Sequence, residues 1–240
     1  MGVPENNLTW KDFFMMLGRM LLYSLPIVFL MDKPPAGRGG NLFSFLADAV
    51  FLAAVYPAAR KAGFNPANWR GYLAGLNSQL IPAFKWFLLT LGVLWLAVQA
   101  FSLALAPWDL PWTNLLLFWF DNSSNPANAE ARIVGLLANP LLIPVHFLSV
   151  CALAPVMEEF LYRRWFYSAM RGFMPPTAAI VLNGALFGAM HGTDFFATGL
   201  CGIFFCWCYQ RSGRLAGPIL VHVFVNVLAT GMMFYSVLSR

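Results

Sequence analysis

Seven long apolar runs follow one another along the 240 residues, at roughly 13–31, 42–59, 81–106, 141–167, 174–192, 195–210 and 215–238. About 20 apolar residues in a helix cross the hydrocarbon of a bilayer. Lipid offers the backbone no hydrogen-bond partner, so only helices and closed barrels can cross it. These runs are continuous, unlike the alternating segments of about ten residues in a barrel. The expected fold is therefore all-α, a polytopic transmembrane helical bundle of about seven (six to eight) membrane helices. Hydrophobic residues make up 60% of the chain and charged residues 10%, whereas soluble domains carry about a quarter charged. Such a chain cannot clothe a soluble surface.

The connectors carry turn chemistry: Pro34-Pro35 with Gly37, Gly39 and Gly40, Asn65-Pro66, Pro107 to Pro111, Asn122 to Pro126, Pro175-Pro176 and Ser212-Gly213. The Trp- and Phe-rich stretch from Trp108 to Phe120 reads as an interfacial belt. A net charge of +5 does not point to nucleic acid, because the basic residues are scattered singly among loops. Arg60, Lys61, Arg70, Arg163, Arg164, Arg171, Arg211 and Arg214 fall on one set of links, opposite Asp109, Asp121, Glu130 and Asp194. By the positive-inside bias this puts the amino terminus in the cytoplasm, in a cell (inner) membrane, with Lys33 and Arg38 dissenting. The first run lacks a small-residue cleavage site and reads as a retained helix rather than a signal peptide. The four cysteines, Cys151, Cys201, Cys206 and Cys208, have no metal-finger spacing and read as small apolar core residues. No internal repeat is visible. The chain divides into amino-terminal membrane helices, 1–140, and a carboxyl-terminal core, 141–240, which holds the chemistry.

Within that core, ionisable groups interrupt apolar runs: Glu158-Glu159, His191, and His222 with Asn226. Such groups are costly in lipid and normally face a bundle interior or a wet cavity. Neighbouring helix positions point about 100° apart, so Glu158 and Glu159 are expected to serve different tasks. Glu159 and Arg163 are i and i+4, which pairs them on one face and leaves Glu158 to face a cavity. Phe187 and His191 share that spacing, so the ring can wall the imidazole, and so do His222 and Asn226, two donors from one face. The alternatives are an interfacial Glu-Glu pair held by Arg163 and Arg164, and interhelical polar glue at His222 and Asn226. His146 has no polar partner at helical spacing and reads as structural. As a set, Glu158 and His191 can activate a water, and His222 and Asn226 can face a developing oxyanion.

The order Glu-Glu-x-x-x-Arg, Phe-x-x-x-His, His-x-x-x-Asn resembles the CAAX-protease and bacteriocin-processing family of intramembrane glutamate proteases. Arg211-Ser212-Gly213-Arg214-Leu215-Ala216-Gly217-Pro218-Ile219-Leu220 before His222 is similar to that family's approach to its last motif. The resemblance covers about 145–236. It implies Glu158 and His191 as the water-activating pair, His222 and Asn226 as oxyanion donors, and Glu159, Arg163 and Phe187 as support. It also implies no cofactor and no metal, and a protein or peptide substrate presented at the membrane. Arg164 departs from the family, where Gly is common after the motif Arg. The competing chemistries are a zinc protease holding its metal through Glu158, His191 and His222, a transporter using these groups as a proton relay, and a silent scaffold or immunity protein. Assumed helix starts place Glu158, His191 and His222 at roughly 14, 25 and 10 Å depth, a mismatch that requires the fifth helix to tilt, start later or unwind.

Overall fold

The computed structural model describes residues 8–30, 38–105, 126–191 and 195–239. Among them the chain forms eight helices and no strand: α1 Trp10–Leu30, α2 Arg38–Lys61, α3 Trp69–Leu105, α4 Pro126–Leu137, α5 Leu142–Met170, α6 Pro176–Ala189, α7 Phe195–Ser212 and α8 Ala216–Leu238. The all-α expectation holds. Within α3 the segment Ala74–Ala97, and the whole of α5 and α8, are long and apolar enough to cross a membrane. Large apolar side chains such as Ile81, Trp95, Leu96 and Leu141 are exposed, as a surface covered by lipid requires. α3 begins twelve residues earlier than its apolar run suggested, and α4 was not expected at all. The aromatic stretch from Trp108 to Phe120 lies outside the described residues.

Local chemistry sets the ends of these helices. Ahead of the first apolar run, Thr9 and Asp12 cap α1 reciprocally. The Asp12 carboxylate accepts from the Thr9 backbone N–H at 2.7 Å, and the Asp12 N–H donates to Thr9 Oγ1 at 3.4 Å. The same carboxylate takes the Lys61 ammonium at 2.7 Å, which ties the start of α1 to the end of α2. At the α7–α8 turn Gly213 adopts φ +63° and donates to the Tyr209 carbonyl at 2.8 Å, a left-handed cap that favours glycine.

α6 and α7 meet through glycine. A methyl group on Gly188 would lie 2.3 Å from the Phe195 carbonyl oxygen, and one on Gly184 would lie 2.9 Å from that of Gly199. The two backbones are thus in direct contact, the small-residue packing that membrane helices use in place of a hydrophobic drive. α3 runs alongside α8 in the same direction, with Gln79 beside Gly217 and Phe84 and Phe87 against Phe224. Ala83, Tyr162, Phe187, Cys201, Phe205, Cys208 and Val221 form a core shared by α3, α5, α6, α7 and α8. The cysteines are buried and free.

α5 is one helix of alternating gauge. Two π-helical segments, Ser149–Leu153 and Phe160–Tyr167, bracket the α-helical turn Ala154–Glu159 that carries both glutamates. Pro155 accounts for the first. Its ring collides with a carbonyl one turn back and it has no N–H to give, and a widened turn is one way a helix relieves this. The register shows it: the Ala154 N–H bonds the Ser149 carbonyl, five residues back. The next donor in that register would be Pro155, so the Val150 carbonyl lacks its partner.

Candidate active site

The carboxylate pair lies where α5, α6 and α8 converge. Glu159 and Arg163 are both fully buried, with Arg163 Nε 3.0 Å from Glu159 Oε2. The interfacial alternative for the glutamates does not fit that burial. The other Glu159 oxygen, Oε1, accepts from His222 Nδ1 at 2.9 Å. Arg163 also donates from Nη2 to the Gly202 carbonyl at 3.1 Å. Its guanidinium lies 4.7 Å from the Phe187 ring and 5.4 Å from that of Phe205, both within cation–π range.

Glu158 occupies the open side. Its Oε2 lies 3.8 Å from His191 Nε2 and 3.9 Å from His222 Nε2. The Glu158 and His191 side chains each keep 28% of their surface exposed, against 6% for His222, so the first two face an accessible space. Adjacent helix positions point apart, yet both glutamates reach one imidazole: Glu159 meets His222 at Nδ1 and Glu158 at Nε2. The expected division of labour therefore runs through a shared ring.

His191 is not on α6. The helix ends at Ala189 and His191 sits in the following turn, its N–H bonded to the Gly188 carbonyl at 2.8 Å. From that turn the imidazole comes within 3.8 Å of Glu158 despite the depth mismatch that counting along a straight helix gives. His191 Nδ1 lies 2.6 Å from the Phe187 carbonyl. A carbonyl only accepts, so Nδ1 carries a proton and Nε2 is the nitrogen turned to Glu158. Phe187 walls both imidazoles, with centroids 4.5 Å from His191 and 5.8 Å from His222.

Asn226 sits one turn beyond His222. Its Nδ2 donates to the Val150 carbonyl at 2.8 Å, supplying the hydrogen bond that Pro155 cannot. One of its two N–H groups is thereby committed to α5. His146 is buried beside Phe147. Motif spacing missed Phe205, which stacks on His222 at 4.8 Å with the ring planes 27° apart. It also missed Asn183. Among 23 phenylalanines no periodic signal singles out Phe205, whereas Gly184 and Gly188 on α6 and Gly199 and Gly202 on α7 do mark the close contact that brings it there.

Among the described residues no group of three His, Cys, Asp or Glu side chains has the arrangement of a metal site. The donors at hand are two imidazole nitrogens and a carboxylate oxygen at separations that suit hydrogen bonding through a small molecule such as water.

Residues 140–228 match the family model described as type II CAAX prenyl endopeptidase Rce1-like. No curated protein and no solved structure matches the chain. The matched stretch contains the whole of the Glu158, Glu159, Arg163, His191, His222 and Asn226 constellation. A peptidase family thus coincides with the helices that bring these groups together: residues 140–228 are similar to the CAAX prenyl endopeptidases, in a chain with three helices long and apolar enough to cross a membrane among the described residues.

Proposed function

We propose that the chain is a glutamate-type peptidase in which Glu158 and His191 activate a water that attacks the scissile carbonyl. One observation supports this above the rest: Glu158 Oε2 stands 3.8 and 3.9 Å from two imidazole Nε2 atoms. With Glu158 ionised, the His191 ring neutral and His222 carrying a proton on each nitrogen, Glu158 and His191 are two acceptors facing one another, which is unfavourable without a shared donor. A water supplies two O–H groups there, directed at Glu158 and His191. As it attacks, its proton passes to Glu158, and the carbonyl oxygen becomes an oxyanion. His222 in its protonated form donates Nε2–H to that oxyanion, and the second N–H of Asn226 adds another donor. Collapse of the intermediate returns the proton to the leaving amine. Glu159, held by Arg163, keeps the proton on His222 Nδ1 and fixes the ring, while Phe187 and Phe205 hold both imidazoles from the sides. The metal and proton-relay alternatives lack an observation of this kind.

The family's printed description makes a prenylated protein with a carboxyl-terminal Cys-aliphatic-aliphatic-X sequence the first substrate class to test. The basic links support an orientation with the amino terminus in the cytoplasm, in a cell membrane. The deciding experiment is cleavage of an internally quenched peptide, prenylated and unprenylated, by purified protein with a chelator present. Wild type is expected to cleave. Glu158→Gln is expected to lose at least about 100-fold in kcat, at the level general base catalysis supplies. Full activity of the Gln variant, or loss of wild-type activity on chelation with recovery on added zinc, would overturn the proposal.

A further inference from the structure

The second π segment of α5 is also held by an amide from a neighbouring helix. Asn183 lies on α6, two turns before His191, and is fully buried. Its Nδ2 donates to the Tyr162 carbonyl at 2.8 Å. That carbonyl can only accept, which fixes the amide's orientation. The opposite face of the amide gains nothing: Asn183 Oδ1 is buried and has no hydrogen-bond partner among the described residues. A buried acceptor left unpaired costs on the order of 1–3 kcal/mol. A leucine of similar size would remove that unpaired acceptor at the expense of the bond to the Tyr162 carbonyl, so the amide brings no clear net stability over an apolar side chain of the same volume.

What the amide does hold is the turn between Glu159 and Arg163. π turns are rare and occur mostly as short bulges at functional sites, and this turn must keep Arg163 on Glu159, Glu159 on His222, and His222 beside Glu158. Asn226 at Val150 and Asn183 at Tyr162 thus fix the two wide segments flanking the glutamates. We infer that Asn183 is a positioning residue for the catalytic carboxylates, acting through the Tyr162 carbonyl. The inference rests on the proposed role of Glu158. It also joins α6, the helix leading to His191, directly to the helix bearing the base.

The test compares Asn183→Leu and Asn183→Ala with wild type and with a Glu158→Gln control, using the quenched prenylated peptide. It reads kcat, KM and the thermal unfolding midpoint in detergent. Displacing a catalytic group by about 1 Å costs up to about 100-fold. The Leu variant should therefore lose about 10- to 100-fold in kcat, with KM within about twofold and the midpoint little changed, because the lost bond and the lost unpaired acceptor offset each other. Activity within twofold of wild type in either variant overturns the inference. So does a parallel fall of midpoint and kcat with a rise in KM, or failure of both variants to fold, because each marks a structural residue. The control separates two failures. An active Glu158→Gln removes the base assignment, whereas an inactive one beside a fully active Asn183→Leu removes only Asn183.

Discussion

Two tasks are proposed for Asn226 in this site, and Pro155 provides the means to separate them. In the π register of α5 the Ala154 N–H bonds Ser149, so the next residue should bond Val150. Pro155 has no N–H, and Asn226 Nδ2 fills the position at 2.8 Å. Removing the amide by Asn226→Leu leaves a buried carbonyl unpaired, a cost of about 1–3 kcal/mol in general. Interhelical hydrogen bonds measured in membrane bundles average nearer 0.6, with a maximum of about 1.7 kcal/mol. We expect about 1 kcal/mol of lost stability. Pro155→Ala restores a backbone donor without changing the residue count between Leu148 and Glu158, so in that background the cost of Asn226→Leu should fall towards zero. The coupling, about 1 kcal/mol, is measurable as a double-mutant cycle from SDS-titration unfolding in mixed micelles. Equal costs in the two backgrounds, within the roughly 0.3–0.5 kcal/mol of ordinary additivity, would refute the derivation from Pro155. Activity reads the other task. If the second N–H faces the oxyanion, the kcat deficit of Asn226→Leu, about 100-fold for a lost oxyanion donor, should persist in the Pro155→Ala background. Recovery of kcat along with stability would assign Asn226 wholly to the backbone.

Two further predictions probe the scaffold. Gly188→Ala drives a methyl group to 2.3 Å from the Phe195 carbonyl oxygen and 2.9 Å from Gly199 Cα. Backbone on both sides cannot yield cheaply, so stability should fall by about 1–3 kcal/mol or more; the same substitution at Gly92, inside α3 with open space around it, should leave stability unchanged or raise it by up to about 1 kcal/mol in the same titration. At the amino-terminal end, the Lys61 ammonium, followed by the Thr9 backbone N–H, lowers the Asp12 pKa from 3.8 to about 2. A depressed folded-state value gives stability that is present above pH 3.8 and lost as pH falls towards 2. The thermal midpoint of wild type should exceed that of Asp12→Asn at pH 5, and the gap should close by pH 2. A gap that stays constant across that range would show that the ion pair contributes nothing.

The parts of this molecule that were legible in the sequence are those a regular helix can carry. The apolar runs announced the bundle, and the i, i+4 spacing of Glu159 and Arg163 announced a pair that is 3.0 Å apart and fully buried. What spacing missed arises where the helix stops being regular or where the contact crosses between helices. His191 appeared too deep because counting took α6 as a straight helix through it, whereas the helix ends at Ala189 and the imidazole lies 3.8 Å from Glu158. Helix α4, Pro126–Leu137, mixes Ala, Asn, Glu and Arg and so offered no apolar run. The glutamates appeared unable to cooperate because 100° per residue separates them, but an imidazole has two nitrogens and accepts one glutamate at each. The π segments explain why the amides went unrecognised. A widened turn turns a backbone carbonyl into a recognition site, and no periodicity in the chain marks where one will open. Pro155 is the exception, because a residue without an N–H names the carbonyl it leaves unpaired once the register is known. A proline a few residues before an intramembrane carboxylate is therefore a reason to look for a buried amide on the facing helix. Here that search, made from Pro155, leads to Asn226, a residue that the oxyanion argument had already placed in the site for a different purpose.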